Sequence, residues 1–119
     1  MRVTPHTVRT VAEVMSSPVV VALPDETVAE AATRMNDRTV GSVVVVDGTR
    51  PVGILTERDV VRLAAAGPSA EGSKVAEWMT PDPDCVEPGL SVQEAFASLG
   101  AHGYRHIPVV EGNELLGIV

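Results

Sequence analysis

Thr56 and Asp59 are the residues of this chain best suited, by type and spacing, to hold a ligand. They follow an apolar segment and precede an amphipathic one, which predicts that Thr56 stands at the start of a helix. A hydroxyl there lies beside free backbone N–H groups and the positive end of the helix dipole, where an anion is favoured. A carboxylate three residues later can accept strong hydrogen bonds from hydroxyl groups. The same Thr-x-x-Asp pattern is also a capping box, which needs no ligand, and the two interpretations are compatible.

Other combinations of reactive residue types give weaker signals. His102, His106 and Cys85 carry metal-ligating groups, but their spacing fits no zinc pattern and a predicted helix and strand separate them. Cys85 is instead predicted to be a small core residue. The glycines Gly48 and Gly53 lack the spacing of a phosphate-cradling loop, and no catalytic triad or carboxylate pair is supported. The sequence therefore predicts no catalytic centre, no metal site and no resident cofactor.

An internal repeat organises the elements that must position these residues. Val11–Met15 recurs as Val75–Met79, an offset of 64, and the same offset carries Gly53-Ile54 onto Gly117-Ile118. Such a period indicates two copies of one supersecondary unit that bury their hydrophobic faces against each other. Because half of this chain, about 60 residues, would be marginal alone, the two copies are expected to share one core.

Each copy is predicted to contain a helix, a strand, a second helix and two paired strands, and the first copy continues into a further helix. In the first copy we expect a helix from Thr10 to Met15, a strand at 19–22, a helix capped by Thr27, strands at 42–46 and 51–56, and a helix to about 66. In the second copy we expect a helix at about 74–79, a strand near 85–86, a helix capped by Ser91, and strands at 106–110 and 115–119. The predicted organisation is an N-terminal arm (1–10), a first repeat (11–66), a small-residue linker (67–73) and a C-terminally incomplete second repeat (74–119). From that missing last helix we expect the chain to be a fragment of a longer protein.

Composition and net charge limit the kinds of molecule that this protein is expected to bind. The 119 residues carry a net charge of -7, which argues against sequence-independent binding of nucleic acid. No basic segment precedes a long apolar one, and the apolar runs are too short to cross a bilayer, so we expect neither a secretory signal nor a membrane partner. A lone cysteine suits a reducing compartment, and we therefore expect a cytoplasmic location.

Short segments of both copies recur in the same order as in a known family. They are Val11–Val19, Gly41–Asp47 and Gly53–Val60 in the first copy, and Val75–Pro81, Tyr104–Val110 and Gly117–Val119 in the second. Together they resemble the cystathionine β-synthase (CBS) domain, present as a tandem pair, or Bateman module, over about residues 8–119. The resemblance implies an α/β (α+β) fold of two βαββα-type repeats with pseudo-two-fold symmetry, the second without its last helix. It also implies a regulatory module that binds adenosine-type ligands between the repeats and commonly pairs face to face as a homodimer.

The resemblance also implies roles for individual residues. The family's G-h-x-[ST]-x-x-D motif matches Thr56, whose counterpart contacts phosphate, and Asp59, whose counterpart contacts ribose. Val40, Gly41 and Ser42 match the segment that lines the base pocket, although Gly41 is equally compatible with a turn or close packing.

Other positions are matched with less specific roles. Val19 and Val20 could pack on the base, but a core role needs no ligand and is favoured. His106 matches a position from which some members send a basic side chain toward the phosphate at the other copy's site. Its neighbour Arg105 would point to the opposite face of a strand, so at most one of them is expected to reach, and a half-exposed polar role needs no ligand. Thr56 and Asp59 would recur at positions 120 and 123, so we expect at most one tight site per chain.

Two functional hypotheses follow. The favoured one is a regulatory module that senses AMP, ADP, ATP or S-adenosylmethionine. Such a ligand would act on a fused or separate effector domain through differential affinity for two arrangements. The alternative is a ligand-free scaffold whose helices bury apolar faces against a second copy, with a vestigial pocket. The base contacts would be largely backbone and aliphatic, so the residues alone do not choose among the adenosine compounds.

Overall fold

The computed structural model describes residues 9–99 and 106–119, so residues 1–8 of the predicted arm, His102, Tyr104 and Arg105 lie outside the described part. The helices are α1 (Val11–Val14), α2 (Val28–Arg38), α3 (Glu57–Ala66), α4 (Val75–Trp78) and α5 (Val92–Leu99). The strands are β1 (Val21–Ala22), β2 (Ser42–Asp47), β3 (Arg50–Thr56), β4 (Thr80–Pro81), β5 (Pro108–Glu111) and β6 (Glu114–Ile118). They form one sheet in the order β1-β2-β3-β4 and a second of β5 and β6. The predicted α+β class is confirmed.

The chain divides into two compact units. The central unit is Val19–Pro83, and the terminal unit combines the described parts of Met1–Pro18 and Asp84–Val119. Within residues 9–99 and 106–119, no helix combines the length and the apolar character needed to span a bilayer.

Local sequence signals account for the elements of the central unit. Asp47 and Gly48 turn the valine-rich β2 back into the antiparallel β3, and Gly48 takes the positive φ of 67° that this turn requires. β1 lies parallel to β2 on its other side. Thr27 caps α2 by accepting a hydrogen bond from the Glu30 amide at 3.0 Å. α3 ends at Gly67, whose φ of 105° suits only glycine well.

The segment that opens the second repeat belongs to the central unit. The Val75 amide donates to the Glu26 carbonyl at 2.8 Å, and the Ala76 amide donates to the Pro24 carbonyl at 2.9 Å. β4 then pairs with β3, and Val75 is fully buried among the core residues of this unit. The N-terminal helix of the second repeat therefore completes the unit built on the first.

The terminal unit shows the reciprocal arrangement, residue for residue at the offset of 64. The Val11 amide donates to the Leu90 carbonyl at 2.8 Å, and the Ala12 amide donates to the Pro88 carbonyl at 3.0 Å. Ser16 pairs with Ile118 as Thr80 pairs with Ile54. Even the irregularity in register recurs, at positions 45 and 46 of β2 and at 109 and 110 of β5. The repeat in the sequence thus corresponds to a repeated set of hydrogen bonds. The opening helices are exchanged, because the first helix of each repeat packs in the unit built on the other repeat.

The expectation of a single shared core is wrong for the described residues, whose buried side chains form two clusters. The larger contains Ala22, Val28, Ala31, Met35, Val43, Val45, Leu55, Leu63 and Val75, all in the central unit. The smaller contains Val11, Val86, Ala95, Ile107 and Val109, all in the terminal unit. The physical reason is that each unit buries its side chains against its own sheet, although each cluster includes one residue of the opposite repeat, Val75 in the central unit and Val11 in the terminal unit.

Two smaller predictions in the 80–86 region are also corrected. Residues 85–86 form no strand, since only Val86 makes an isolated parallel bridge, to Val109. Cys85 is exposed rather than a core residue, because the lack of a strand leaves its side chain at the surface. Partial burial of the thiol, helped by the charge of Asp84, raises the pKa of Cys85, so its thiolate is disfavoured at neutral pH.

β4 was not predicted, because a two-residue strand containing Pro81 carries almost no sequence signal.

Candidate functional site

The predicted ligand-binding residues of the first repeat meet at one edge of the four-stranded sheet. Ser42, at the start of β2, pairs with Thr56, at the end of β3. The Glu57 amide donates to the Gly41 carbonyl at 3.0 Å, which ties the start of α3 to the same edge. On the other side of β2, the Val20 carbonyl accepts from the Val44 amide at 3.1 Å. Antiparallel and parallel pairing thus bring three segments, far apart in sequence, next to one another.

The capping box at Thr56 is fully formed. The Asp59 amide donates to Thr56 Oγ1 at 3.3 Å. In return, Asp59 Oδ2 accepts from the Thr56 amide at 2.9 Å and from the Thr56 hydroxyl at 3.0 Å. Asp59 is 8% exposed, so it is a nearly buried carboxylate at the start of a helix. The geometry establishes the capping role and leaves one carboxylate oxygen outside it.

That second oxygen, Asp59 Oδ1, faces an arginine that sequence reasoning did not single out. Arg62 Nη2 lies 3.6 Å from Oδ1, a distance typical of a loose ion pair rather than of a hydrogen bond. The Arg62 guanidinium also stacks over the indole of Trp78, with its carbon 5.4 Å from the ring centroid. Asp59, Arg62 and Trp78 therefore form a connected row from α3 to α4. The spacing of three residues between Asp59 and Arg62 was a usable signal, whereas the contact with Trp78 depends on the exchanged helix.

Gly41 lies close to the exposed, flexible side chain of Glu57. A side-chain carbon on Gly41 would come within 2.8 Å of Glu57 Oε1, so any larger residue would displace that carboxylate. Its neighbour Ser42 is buried, and Val40 is half-buried against the core of the central unit. Residues 40–42 therefore present mainly backbone groups at the sheet edge.

The strand β1, which follows Val19 and Val20 and is shorter than the predicted strand at 19–22, is held by an arginine of α2. Arg34 Nη1 donates to the Val21 carbonyl at 2.7 Å, and its two terminal nitrogens reach both oxygens of Glu26, at 3.1 and 2.8 Å. The hydrogen bond from Arg34 lowers the pKa of the Glu26 carboxyl, so this pair stays charged well below neutral pH. The bidentate contact fixes the short edge strand β1 against α2.

The predicted ligand-binding residues of the central unit do not all line one surface groove. A groove of about 500 Å³ between α2 and α3, the α2–α3 groove, includes Val40 and Gly41. A second groove of about 270 Å³ includes Val19 and Val20, beside Arg34. Ser42, Thr56 and Asp59 line neither of them. Seven of the eight predicted positions thus belong to the central unit. The eighth, His106, lies half-buried before β5 in the terminal unit.

Comparison with known proteins gives the family. The chain belongs to the CBS domain family, whose model matches residues 11–66 and 75–119. It is 39% identical over 111 residues to a 17.7 kDa protein of Acidianus ambivalens, matching 92% of this chain and 66% of that protein's length. It is 33% identical to the CBS domain-containing protein YhcV of Bacillus subtilis, over 92% of this chain and 78% of the relative. The chain thus spans just under two thirds of the first of these relatives.

Solved structures agree with this assignment. A CBS domain protein of Pyrobaculum aerophilum, complexed with AMP, is 26% identical, with a TM-score of 0.83 over 92% of this chain and 86% of that one. A hexameric CBS-CP12 protein from bloom-forming cyanobacteria is 31% identical, with a TM-score of 0.86 over 94% of this chain and 67% of that one. A pair of CBS domains is a regulatory module, and this chain contains such a pair.

Proposed function

We propose that this regulatory module binds an adenosine-type nucleotide at the sheet edge formed by residues 19–20, 40–42 and Thr56, with Asp59 as its anchor. The observation that carries the proposal is the state of Asp59, a nearly buried carboxylate whose Oδ1 lies outside the capping box. The AMP complex of the related Pyrobaculum protein supports this class of ligand.

The chemistry of the edge suits such a ligand. Asp59 Oδ1 can accept from the ribose hydroxyls, and charge-assisted hydrogen bonds of this kind are the stronger ones. The Thr56 hydroxyl lies where α3 begins, in the positive field of the helix end that favours a phosphate. Val19, Val20 and the backbone of residues 40–42 offer an aliphatic surface to the purine. The role of His106 near the phosphate stays a prediction from the family resemblance.

A ligand held there would regulate by linkage. It can shift an effector only by the difference between its affinities for two arrangements of the protein. We propose that the effector is a fused or separate domain, and that the protein acts in the cytoplasm.

Nucleotide binding is expected to raise the melting temperature. A ligand of the native state at 100 times its Kd adds about 2.7 kcal/mol of stability, or roughly 10 °C for a domain of this size. AMP, ATP and S-adenosylmethionine should be titrated separately, by thermal melting and by calorimetry. UMP tests the base, and 2′-deoxy-AMP tests the ribose contact with Asp59. Failure of all three adenosine compounds to bind at millimolar concentration would refute the proposal.

Self-association is a second proposed function, and one exposed side chain favours it. Val61, on α3, is 66% exposed and lines the α2–α3 groove together with the apolar side chains of Ala32, Met35, Val40 and Val60. Such an exposed apolar surface is typical of an interface. The hexameric state of the related CBS-CP12 protein is consistent with it.

Val61→Glu is expected to dissociate the homo-oligomer, because it would bury a charge without a partner in the interface. Sedimentation analysis at several concentrations should show at least a tenfold weaker association than for the wild type. Thr33→Glu adds the same charge beside another groove of α2 and should leave the association unchanged. A wild-type protein that sediments as a monomer at all concentrations would contradict the proposal.

A further inference from the structure

We propose that occupancy of the Asp59 site is transmitted to Trp78 by Arg62, which makes Arg62 a positioning residue and α4 the element that responds to ligand. This inference rests on the proposed function, because it concerns the same carboxylate. It starts from the row of Asp59, Arg62 and Trp78, whose members come from two helices that the exchange brings together.

Oδ1 is the carboxylate oxygen of Asp59 that is available to a ligand. Oδ2 already accepts two hydrogen bonds, from the amide and the hydroxyl of Thr56, and these occupy its two lone pairs. As long as the Thr56 hydroxyl keeps its bond to Oδ2, a ribose hydroxyl must donate to Oδ1. Oδ1 is the atom that faces Arg62, so the ligand and the arginine share one acceptor.

Asp59 holds the Arg62 side chain only loosely. Its contact with Oδ1 is 3.6 Å long and its side chain is 52% exposed, whereas the Asp59 side chain is only 11% exposed. An ion pair this long and this exposed is weak, so a hydroxyl donating directly to Oδ1 can displace it. The guanidinium then keeps its other neighbour, the face of the indole, and moves relative to it.

A movement of the Arg62 guanidinium would affect Trp78 and the chain that follows it. Trp78 is the last residue of α4, which is tied to the central unit through Val75 and Ala76. Beyond α4 the chain passes through β4 and leaves the central unit at Pro83. A change at Trp78 therefore acts on the segment that leads out of the unit containing the site. By the offset of 64, Trp78 corresponds to Val14, so the other exchanged helix carries no aromatic residue at this position.

The chain makes the test direct, because Trp78 is its single tryptophan. AMP, ATP and S-adenosylmethionine serve as probes, with binding measured by calorimetry and indole emission excited beyond the absorption band of adenine. A probe that binds the wild type is expected to change the emission with the midpoint found by calorimetry. Arg62→Gln should still bind it within about fivefold of the wild-type affinity, as expected for loss of an exposed ion pair, and should lose the emission change.

Three further variants separate transmission from a merely structural role. Arg62→Lys keeps a cation near the ring and should retain part of the emission change. Arg50→Gln, which removes an exposed ion-paired arginine at the start of β3, should retain all of it. Without any ligand, Asp59→Asn should shift the emission toward that of the ligand-bound wild type, because Arg62 loses its anionic partner.

The outcomes distinguish the two proposals. Binding to the wild type without an emission change, or an emission change that survives intact in Arg62→Gln, overturns the transmission and leaves the binding site standing. Absence of binding of all three probes to the wild type overturns both.

Discussion

Asp59→Ala is expected to weaken binding of the adenosine nucleotide at least tenfold while lowering the melting temperature by only a few degrees. The lost hydrogen bonds from ribose to a charged oxygen are worth about 1.5–3 kcal/mol of affinity. The lost cap costs about 0.5–2 kcal/mol of stability, because the amide and hydroxyl of Thr56 lose their acceptor. Calorimetric titration and thermal melting of the same preparations measure the two effects separately.

The chain offers matched controls for this prediction. Glu30→Ala breaks the equivalent capping box at Thr27, away from the candidate site, so it should lower stability similarly and leave affinity unchanged. Asp59→Asn keeps a side-chain oxygen that can accept from the Thr56 amide but removes the charge, so affinity should fall while stability falls less than in Asp59→Ala. If the alanine variant binds with wild-type affinity, Asp59 is a helix cap and nothing more.

Gly117→Ala is expected to destabilise the protein by about 1–3 kcal/mol, as is typical of overpacking. A side-chain carbon there would lie 2.9 Å from Cγ of Met15 and 2.9 Å from the carbonyl oxygen of Ser16. That oxygen accepts from the Ile118 amide at 3.1 Å, so it cannot retreat without breaking the pairing that holds the α1 segment in place. Equilibrium unfolding in urea measures the loss.

The equivalent glycine of the other repeat provides a control variant for Gly117→Ala. At Gly53, the counterpart of Gly117, the three atoms nearest to an added carbon all belong to the side chain of Met79, which can adopt other rotamers. Gly53→Ala is therefore expected to cost less than Gly117→Ala. Gly89 has no atom within 4 Å of an added carbon, so Gly89→Ala should be close to neutral. Equal stabilities of the Gly117 and Gly89 variants would show that the α1 segment is not packed as described.

Several features of the site could be predicted from short stretches of sequence. Thr56 and Asp59 form the predicted capping box, and Thr27 caps α2 as expected, because a cap is decided by residues three positions apart. The paired strands β2 and β3 follow from the valine run and the Asp47-Gly48 turn. The repeat at an offset of 64 then predicted the pairing of β5 and β6.

Other features needed the tertiary structure. The exposure of Cys85 depends on how residues 80–86 leave the sheet, and two residues of strand at Thr80 carry no periodic pattern. Two cores form against two separate sheets, and Val11 and Val75 lie in the units built on the opposite repeats. These are contacts between segments dozens of residues apart, and no local propensity encodes them.

The sequence by itself indicated the family, through the resemblance of its duplicated segments. It also determined the position of Asp59 at the start of a helix, since periodicity and capping act over one or two turns. Only the tertiary structure decided what surrounds that carboxylate. Its Oδ2 is occupied by Thr56, and its Oδ1 faces an arginine stacked on Trp78 from an exchanged helix. The physical reason is that the orientation of a buried side chain is set by packing among distant segments.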